Sequence, residues 1–189
     1  MIKIAIAGGP GSGKSSLARL LTTELYNIKN INAQLITEFA RDYINNCVWH
    51  EGFTPSLADQ QLIYNKQIER EDTIPDNVQY LISDSPIFIP LIFSKNLAKL
   101  QNYQDRTIYL NLYEDFLSKH LNRYDFIFFI NRQKAFLKDG TRHETEEQAD
   151  NIGKQIHGFL TFHKVSFIEL RCISNTERVK EVLQTLCFV

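Results

Sequence analysis

Two hydrophobic rhythms divide this chain. Apolar runs of five or six residues occur at 2–7, 33–37, 78–83, 125–130 and 165–170. Bounded by polar or turn residues, runs of that length predict buried strands. Between them apolar residues recur every three or four positions, as expected for helices with one buried face. Leu17, Leu20, Leu21, Leu25 and Ile28 form one such series, and Tyr109, Leu112, Tyr113, Phe116, Leu117 and Leu121 another. Ala149, Ile152, Ile156 and Phe159 form a third, and Val179, Val182, Leu183 and Leu186 a fourth. Residues 39–44 read as a short helix after the second strand.

Local signals place the boundaries. Ser56 with Asp59 resembles an N-cap and first-turn acid, opening a polar helix that runs to about residue 72 and is broken by Pro75-Asp76-Asn77. Pro86 suits the first turn of the next helix. Glu144 is expected to open the helix before the fifth strand, and Ser174-Asn175-Thr176-Glu177 fits a capping box for the last. Strands and helices alternate from end to end. This predicts an α/β fold, with a five-stranded parallel sheet, helices on both faces and a polar segment at 131–143 after the fourth strand. The 189 residues are expected to form a single domain, 1–189.

The turn after the first strand carries the chemistry. Gly8-Gly9-Pro10-Gly11-Ser12-Gly13-Lys14-Ser15 meets the pattern G-x-x-x-x-G-K-[ST] at every constrained position, between a strand and a helix, so the expected α/β fold is of the P-loop NTPase type. Glycines let successive backbone N–H groups turn inward around phosphate oxygens, and the following helix adds its positive end. Residues 8–16 through Ser16 are therefore the candidate nucleotide cradle. Lys14 would reach the β- and γ-phosphates of ATP, and Ser15 would offer a hydroxyl to Mg²⁺. Asp84, ending the third strand, is the candidate second metal ligand in the manner of a Walker B acid.

Composition narrows the setting. The chain is 43% hydrophobic and 23% charged, with 21 basic and 22 acidic residues. That balance argues against a dedicated nucleic-acid binder while leaving room for a local basic strip. Cys47, Cys172 and Cys187 are widely spaced, and the reading is buried, reduced thiols in a cytoplasmic protein. The first apolar run is too short for a signal peptide, and no stretch approaches the length of a membrane span.

Several nucleotide-protein classes lack their expected parts. Asp84 is followed by Ser85, not by the Glu that hydrolytic ATPases use to orient water, and Asp84-Ser85-Pro86-Ile87 is not D-x-x-G. Asn131-Arg132-Gln133-Lys134 has Lys where a guanine-reading motif needs Asp. A small kinase needs none of these. Glu38, Arg41 and Asp42 stand at i, i+3 and i+4, a spacing that lets them share a helix face and hold an acceptor. Glu38 or Asp84 is placed to take the proton of an acceptor hydroxyl. The segment with Arg132, Lys134, Lys138, Arg142 and His143 suits a lid, with Arg142 stabilising charge on the transferred phosphoryl group. Trp49, beside His50 and Phe53, either stacks on a flat ring or packs its loop against the domain.

Three blocks resemble one P-loop group: Thr37-Glu38-Phe39-Ala40-Arg41-Asp42-Tyr43-Ile44, Ser83-Asp84-Ser85-Pro86 and Asp139-Gly140-Thr141-Arg142. They look like the ATPase/kinase-like family that includes the ribosylnicotinamide kinase domain of NadR proteins. The resemblance implies an ATP-dependent kinase fold, with Glu38, Arg41, Asp84 and Arg142 at matching positions. It also implies that residues 171–175 lie where related kinases hold adenine by backbone contacts. The expectation is thus a kinase using ATP and Mg²⁺ on a small nucleoside-like or nucleotide acceptor. Two alternatives stand beside it: a kinase of a modified base in DNA, and a non-catalytic ATP- or GTP-responsive binding module.

Overall fold

A computed structural model describes residues 1–29, 31–47, 55–98, 103–132 and 145–188, and these fall into two compact units. Met1–Thr37, Pro75–Ser85 and Tyr124–Val189 make the first, and Glu38–Ile74 and Pro86–Arg123 the second.

The first unit is built on the five apolar runs. They form β1 (Ile2–Gly8), β2 (Ala33–Ile36), β3 (Tyr80–Ser83), β4 (Phe126–Ile130) and β5 (Ile168–Leu170). All pair in parallel, in the order β2-β3-β1-β4-β5. Central β1 is buried on both sides from Ile4 to Ala7, which is why it reads as a continuous apolar run rather than an alternation. One face of the sheet, with Ile4, Ile6, Phe128 and Ile130, packs against Leu17, Leu21 and Leu25 of α1 (Lys14–Lys29) and Val179, Val182 and Leu183 of α7 (Asn175–Thr185). The opposite face carries Phe129, whose ring meets His157 of α6 (Glu146–Phe162) edge-on at 5.3 Å. Helices therefore cover both faces of the sheet, as the alternating pattern predicts.

Two boundaries differ from the sequence reading. α6 is capped by Thr145, whose hydroxyl accepts from Gln148 N–H while the Gln148 side chain accepts from Thr145 N–H. The reciprocal pair satisfies two orphan donors and the helix begins at Glu146; Glu144, the expected opening residue, lies outside the described residues. β5 is only three residues long. Lys164 turns left-handed (φ 55°), and the Val165 N–H reaches back to Leu160 carbonyl at 3.0 Å, so Val165 closes the helix end and the strand starts only at Ile168. The thiols also depart from expectation: Cys187 is exposed and Cys172 half-buried, while the side chain of Cys47 lies outside the described residues. Cys187 follows the end of α7 in a left-handed turn (φ 61°), which carries it out of the core.

The second unit is helical: α2 (Phe39–Cys47), α3 (Leu57–Asp72), α4 (Phe88–Ala98) and α5 (Tyr103–Asp115), the last running into a π-helical turn, Phe116–His120. Ser56 caps α3 in a full capping box with Asp59. α4 is buried from Phe88 to Ile92, around its whole circumference, so it shows no helical period in the sequence. Its Pro90 sits in the first turn, where the missing N–H has no intrahelical partner to lose. Ile63, Tyr64, Phe88, Leu91, Ile92, Leu112 and Phe116 are buried here. Beside them the fully buried Glu71 accepts from Arg123 at 2.7 Å, and Arg123 also holds Asp72 at 2.6 Å. Tyr64 donates its hydroxyl to Asp115 at 3.0 Å. Burial, and then this carboxylate, push the phenol well above its ordinary pKa, so it stays a neutral donor. No described helix is long and apolar enough to cross a membrane.

Candidate functional site

The carboxyl end of β1 runs directly into the glycine-rich turn. Ser12 N–H bonds Gly9 carbonyl at 3.3 Å, and Leu17 N–H bonds Gly13 carbonyl at 3.0 Å, closing the turn and starting α1. Gly13 has φ 96°, a left-handed conformation that side chains rarely adopt. Gly9 is required for a different reason: a Cβ there would stand 2.6 Å from the Ala149 carbonyl, because α6 crosses the turn closely at Gly153. Lys14 is half-buried and its ammonium donates to Gly9 carbonyl at 3.0 Å, arching over the loop. The first turn of α1 holds no acid, so nothing there opposes an anion at the helix's positive end.

Asp84 follows β3, the strand hydrogen-bonded to β1 with Ala5 opposite Ser83. Its N–H continues the ladder to Ile36 carbonyl at 3.0 Å. The residue is 5% exposed, and its Oδ1 is buried with no hydrogen-bond partner among the described residues. A buried carboxylate oxygen without a donor is costly unless a cation completes it. The acid and the Ser15 hydroxyl, at the ends of neighbouring structural elements, have the hard-oxygen chemistry Mg²⁺ takes.

Glu38, Arg41 and Asp42 belong to the second unit. Glu38 immediately precedes α2, and Arg41 donates to it at 3.2 Å. Asp42 instead accepts from Arg70 of α3 at 2.9 Å. Arg70 also lies 4.8 Å over the Phe39 ring, Gln67 accepts the Phe39 N–H at 3.0 Å, and Tyr43 donates to Asp59 at 2.5 Å. α2 is thus strapped to α3 by contacts that leave Glu38 and Arg41 at its amino end. Gln67 and Arg70 were invisible to the sequence reading, since only the packing of α3 on α2 gives them a role.

Arg142, Trp49 and most of the expected lid fall outside the described residues. Arg132 does not. Its guanidinium bonds Asp150 at 2.9 Å and Glu146 at 3.0 Å, and the bond to Asp150 holds it firmly charged. That cation anchors the first turns of α6.

After β5, Arg171 N–H and Cys172 N–H both donate to the Glu181 carboxylate, and Cys172 carbonyl accepts from Arg178. Ile173 is 58% exposed, and its N–H and C=O take no partner among the described residues. Burial, and then Glu181, raise the Cys172 thiol pKa, which makes it a poor nucleophile.

The fold has relatives among solved structures. It is similar to "NadR protein in complex with NR", with TM-score 0.75 and 17% identity over 97% of this chain and 51% of that one. It is similar to deoxyadenosine kinase from M. mycoides, with TM-score 0.65 and 17% identity over 100% of both chains. It is also similar to thymidylate kinase from Candida albicans, with TM-score 0.67 and 20% identity over 99% of this chain and 92% of that one. The chain spans about half the length of the NadR protein. At these identities the likeness is one of fold. No curated protein matches in sequence. A family model described as "AAA domain" matches residues 3–178, from β1 through the phosphate loop and Asp84 to the first turn of α7, and the chain belongs to that family.

Proposed function

We propose that this protein is a Mg²⁺-dependent ATP phosphotransferase, a small kinase whose acceptor is nucleoside-like or a nucleotide. The observation that carries the reading is the glycine turn closing onto α1 beside a buried Asp84 oxygen that lacks a donor. Kinases of nucleosides and nucleotides among the fold relatives support it.

In this reading backbone N–H groups within residues 8–16, Pro10 excepted, and the Lys14 ammonium hold the β- and γ-phosphates. Ser15 and Asp84 would hold Mg²⁺, which when bound supplies neutralisation of the phosphate charge. The adenine edge suits Ile173: its N–H can donate to a ring nitrogen, its C=O can accept from the exocyclic amine, and its exposed side chain can cover the ring. Arg41 grips the acceptor and Glu38 takes its hydroxyl proton. The acceptor oxygen forms a bond to the γ-phosphorus as the bond to the β–γ bridging oxygen breaks, and ADP leaves. Asp42, paired with Arg70, serves by holding α2 in place.

Two substitutions test the roles. Asp84→Asn should cut turnover more than nucleotide binding and shift the magnesium titration to higher concentration; superimposable titrations would remove Asp84 from the metal site. Arg142→Ala should lower turnover by roughly a hundred- to a thousandfold while ATP affinity by calorimetry changes little, the mark of a contact made only in the transition state. Unchanged turnover would take Arg142 out of the mechanism and favour a binding module.

A further inference from the structure

Arg178 is 4% exposed, yet it lies outside every motif that marks the phosphate loop. From the first turn of α7 its guanidinium reaches two loops at once. Nε donates to the Cys172 carbonyl at 2.8 Å, in the turn after β5. Nη1 donates to the Ser12 carbonyl at 3.2 Å, inside the phosphate loop and 166 positions away in sequence, and to Asn175 Oδ1 at 3.1 Å. A Cβ on Gly13 would stand 3.3 Å from the same Nη1, so the head group lies directly against the loop backbone.

None of the three acceptors is charged. Removing a guanidinium from water to hydrogen-bond only carbonyl and amide oxygens is costly, and anchoring α7 alone does not require it. What these bonds do achieve is geometric. A planar fork with donors on separate nitrogens can hold two backbone segments at a fixed spacing. Glu181 completes the arrangement by taking the N–H groups of Arg171 and Cys172, leaving Ile173 alone to face outward.

We propose that Arg178 is a positioning residue that ties the phosphate loop to the turn after β5, so that the two segments bracketing the nucleotide are held as one rigid body. The proposal rests on the nucleotide-binding reading above. Arg178 touches no substrate in this account; it acts through Ser12 and Cys172.

The test compares wild type with Arg178→Lys and Arg178→Met. Lysine keeps the charge but can reach only one of the two carbonyls; methionine keeps much of the volume and loses both bonds. In ligand-free protein, amide hydrogen exchange should rise about tenfold or more in residues 9–13 and 171–174 together, in both variants, while β1 and α1 beyond its first turn keep wild-type protection. The Kd for ATP should rise about tenfold or more, with the KM of the acceptor unchanged. Loosening confined to residues 171–174, with the phosphate loop unaffected, would make Arg178 only an anchor of α7 and overturn the proposal. A uniform rise in exchange across the unit would overturn it too, as general destabilisation. If wild type itself takes up no ATP, yet both loops loosen together in the variants, the tie exists but its nucleotide role and the kinase reading fall together.

Discussion

Lys14→Ala is expected to lose phosphoryl transfer by roughly a hundred- to a thousandfold while the protein stays folded. The residue is half-buried at the mouth of α1, and its hydrogen bond runs to the Gly9 carbonyl rather than into the core. The Gly9 carbonyl keeps the Ser12 N–H at 3.3 Å when the ammonium is removed, so the loss of stability should be small, about 1 kcal/mol or less. The catalytic loss has a different origin. In the proposed reaction the ammonium would neutralise charge developing at the β–γ bridging oxygen, and no other side chain of residues 8–16 is cationic. Turnover should therefore fall much further than ATP affinity. Thermal melting and steady-state kinetics on the same preparation separate these effects. Near-normal turnover in a folded variant would overturn the phosphate-cradle assignment.

The second large effect concerns stability and lies in the helical unit. Glu71 has no solvent exposure, and the side chain of its partner Arg123 is 7% exposed. Glu71→Ala leaves the guanidinium buried without this acceptor. Breaking such a pair costs about 3–5 kcal/mol, and the remaining Arg123–Asp72 bond argues for the lower end. For a chain of this length about 3 kcal/mol corresponds to roughly a 6–12 °C fall in Tm. Replacing Glu71 and Arg123 together with leucine should recover much of the loss, since the penalty lies in a buried charge that has lost its buried acceptor more than in a missing attraction. A single variant that melts within a degree or two of wild type would contradict this view of the pair.

The sequence was most legible where chemistry is local. The phosphate loop could be read because its spacing is dictated by one ligand, and Ser56 with Asp59 because a cap needs only four consecutive residues. The parallel sheet followed from the alternation of runs and periods, and its five strands lie where the runs do. Boundaries were harder. The start of α6 is set by Thr145, where a Thr–Gln reciprocal pair satisfies two backbone donors, a cap the sequence reading did not single out. The uniform apolar stretch of α4 hides its helical period, since burial on every side leaves no polar face to count. Least legible were the residues that act across the fold. Arg178 reads as an ordinary helical arginine until Ser12 is seen beside it, and the pairing of Asp42 with Arg70 joins residues 28 positions apart. Such partners are set by tertiary packing, which no local pattern records.

The proposed kinase function makes a direct demand: a γ-phosphoryl group should leave ATP and arrive on another molecule. The decisive measurement incubates the protein with Mg²⁺ and ATP labelled in its γ-phosphoryl oxygens, against a panel of nucleosides, nucleoside monophosphates and nicotinamide riboside, with products read by mass. Transfer of one labelled phosphoryl group to a panel member, with ADP formed in equal amount and the reaction lost in Lys14→Ala, is the result expected. ATP that binds and is recovered intact with every acceptor, or label appearing only in inorganic phosphate, would contradict the kinase account.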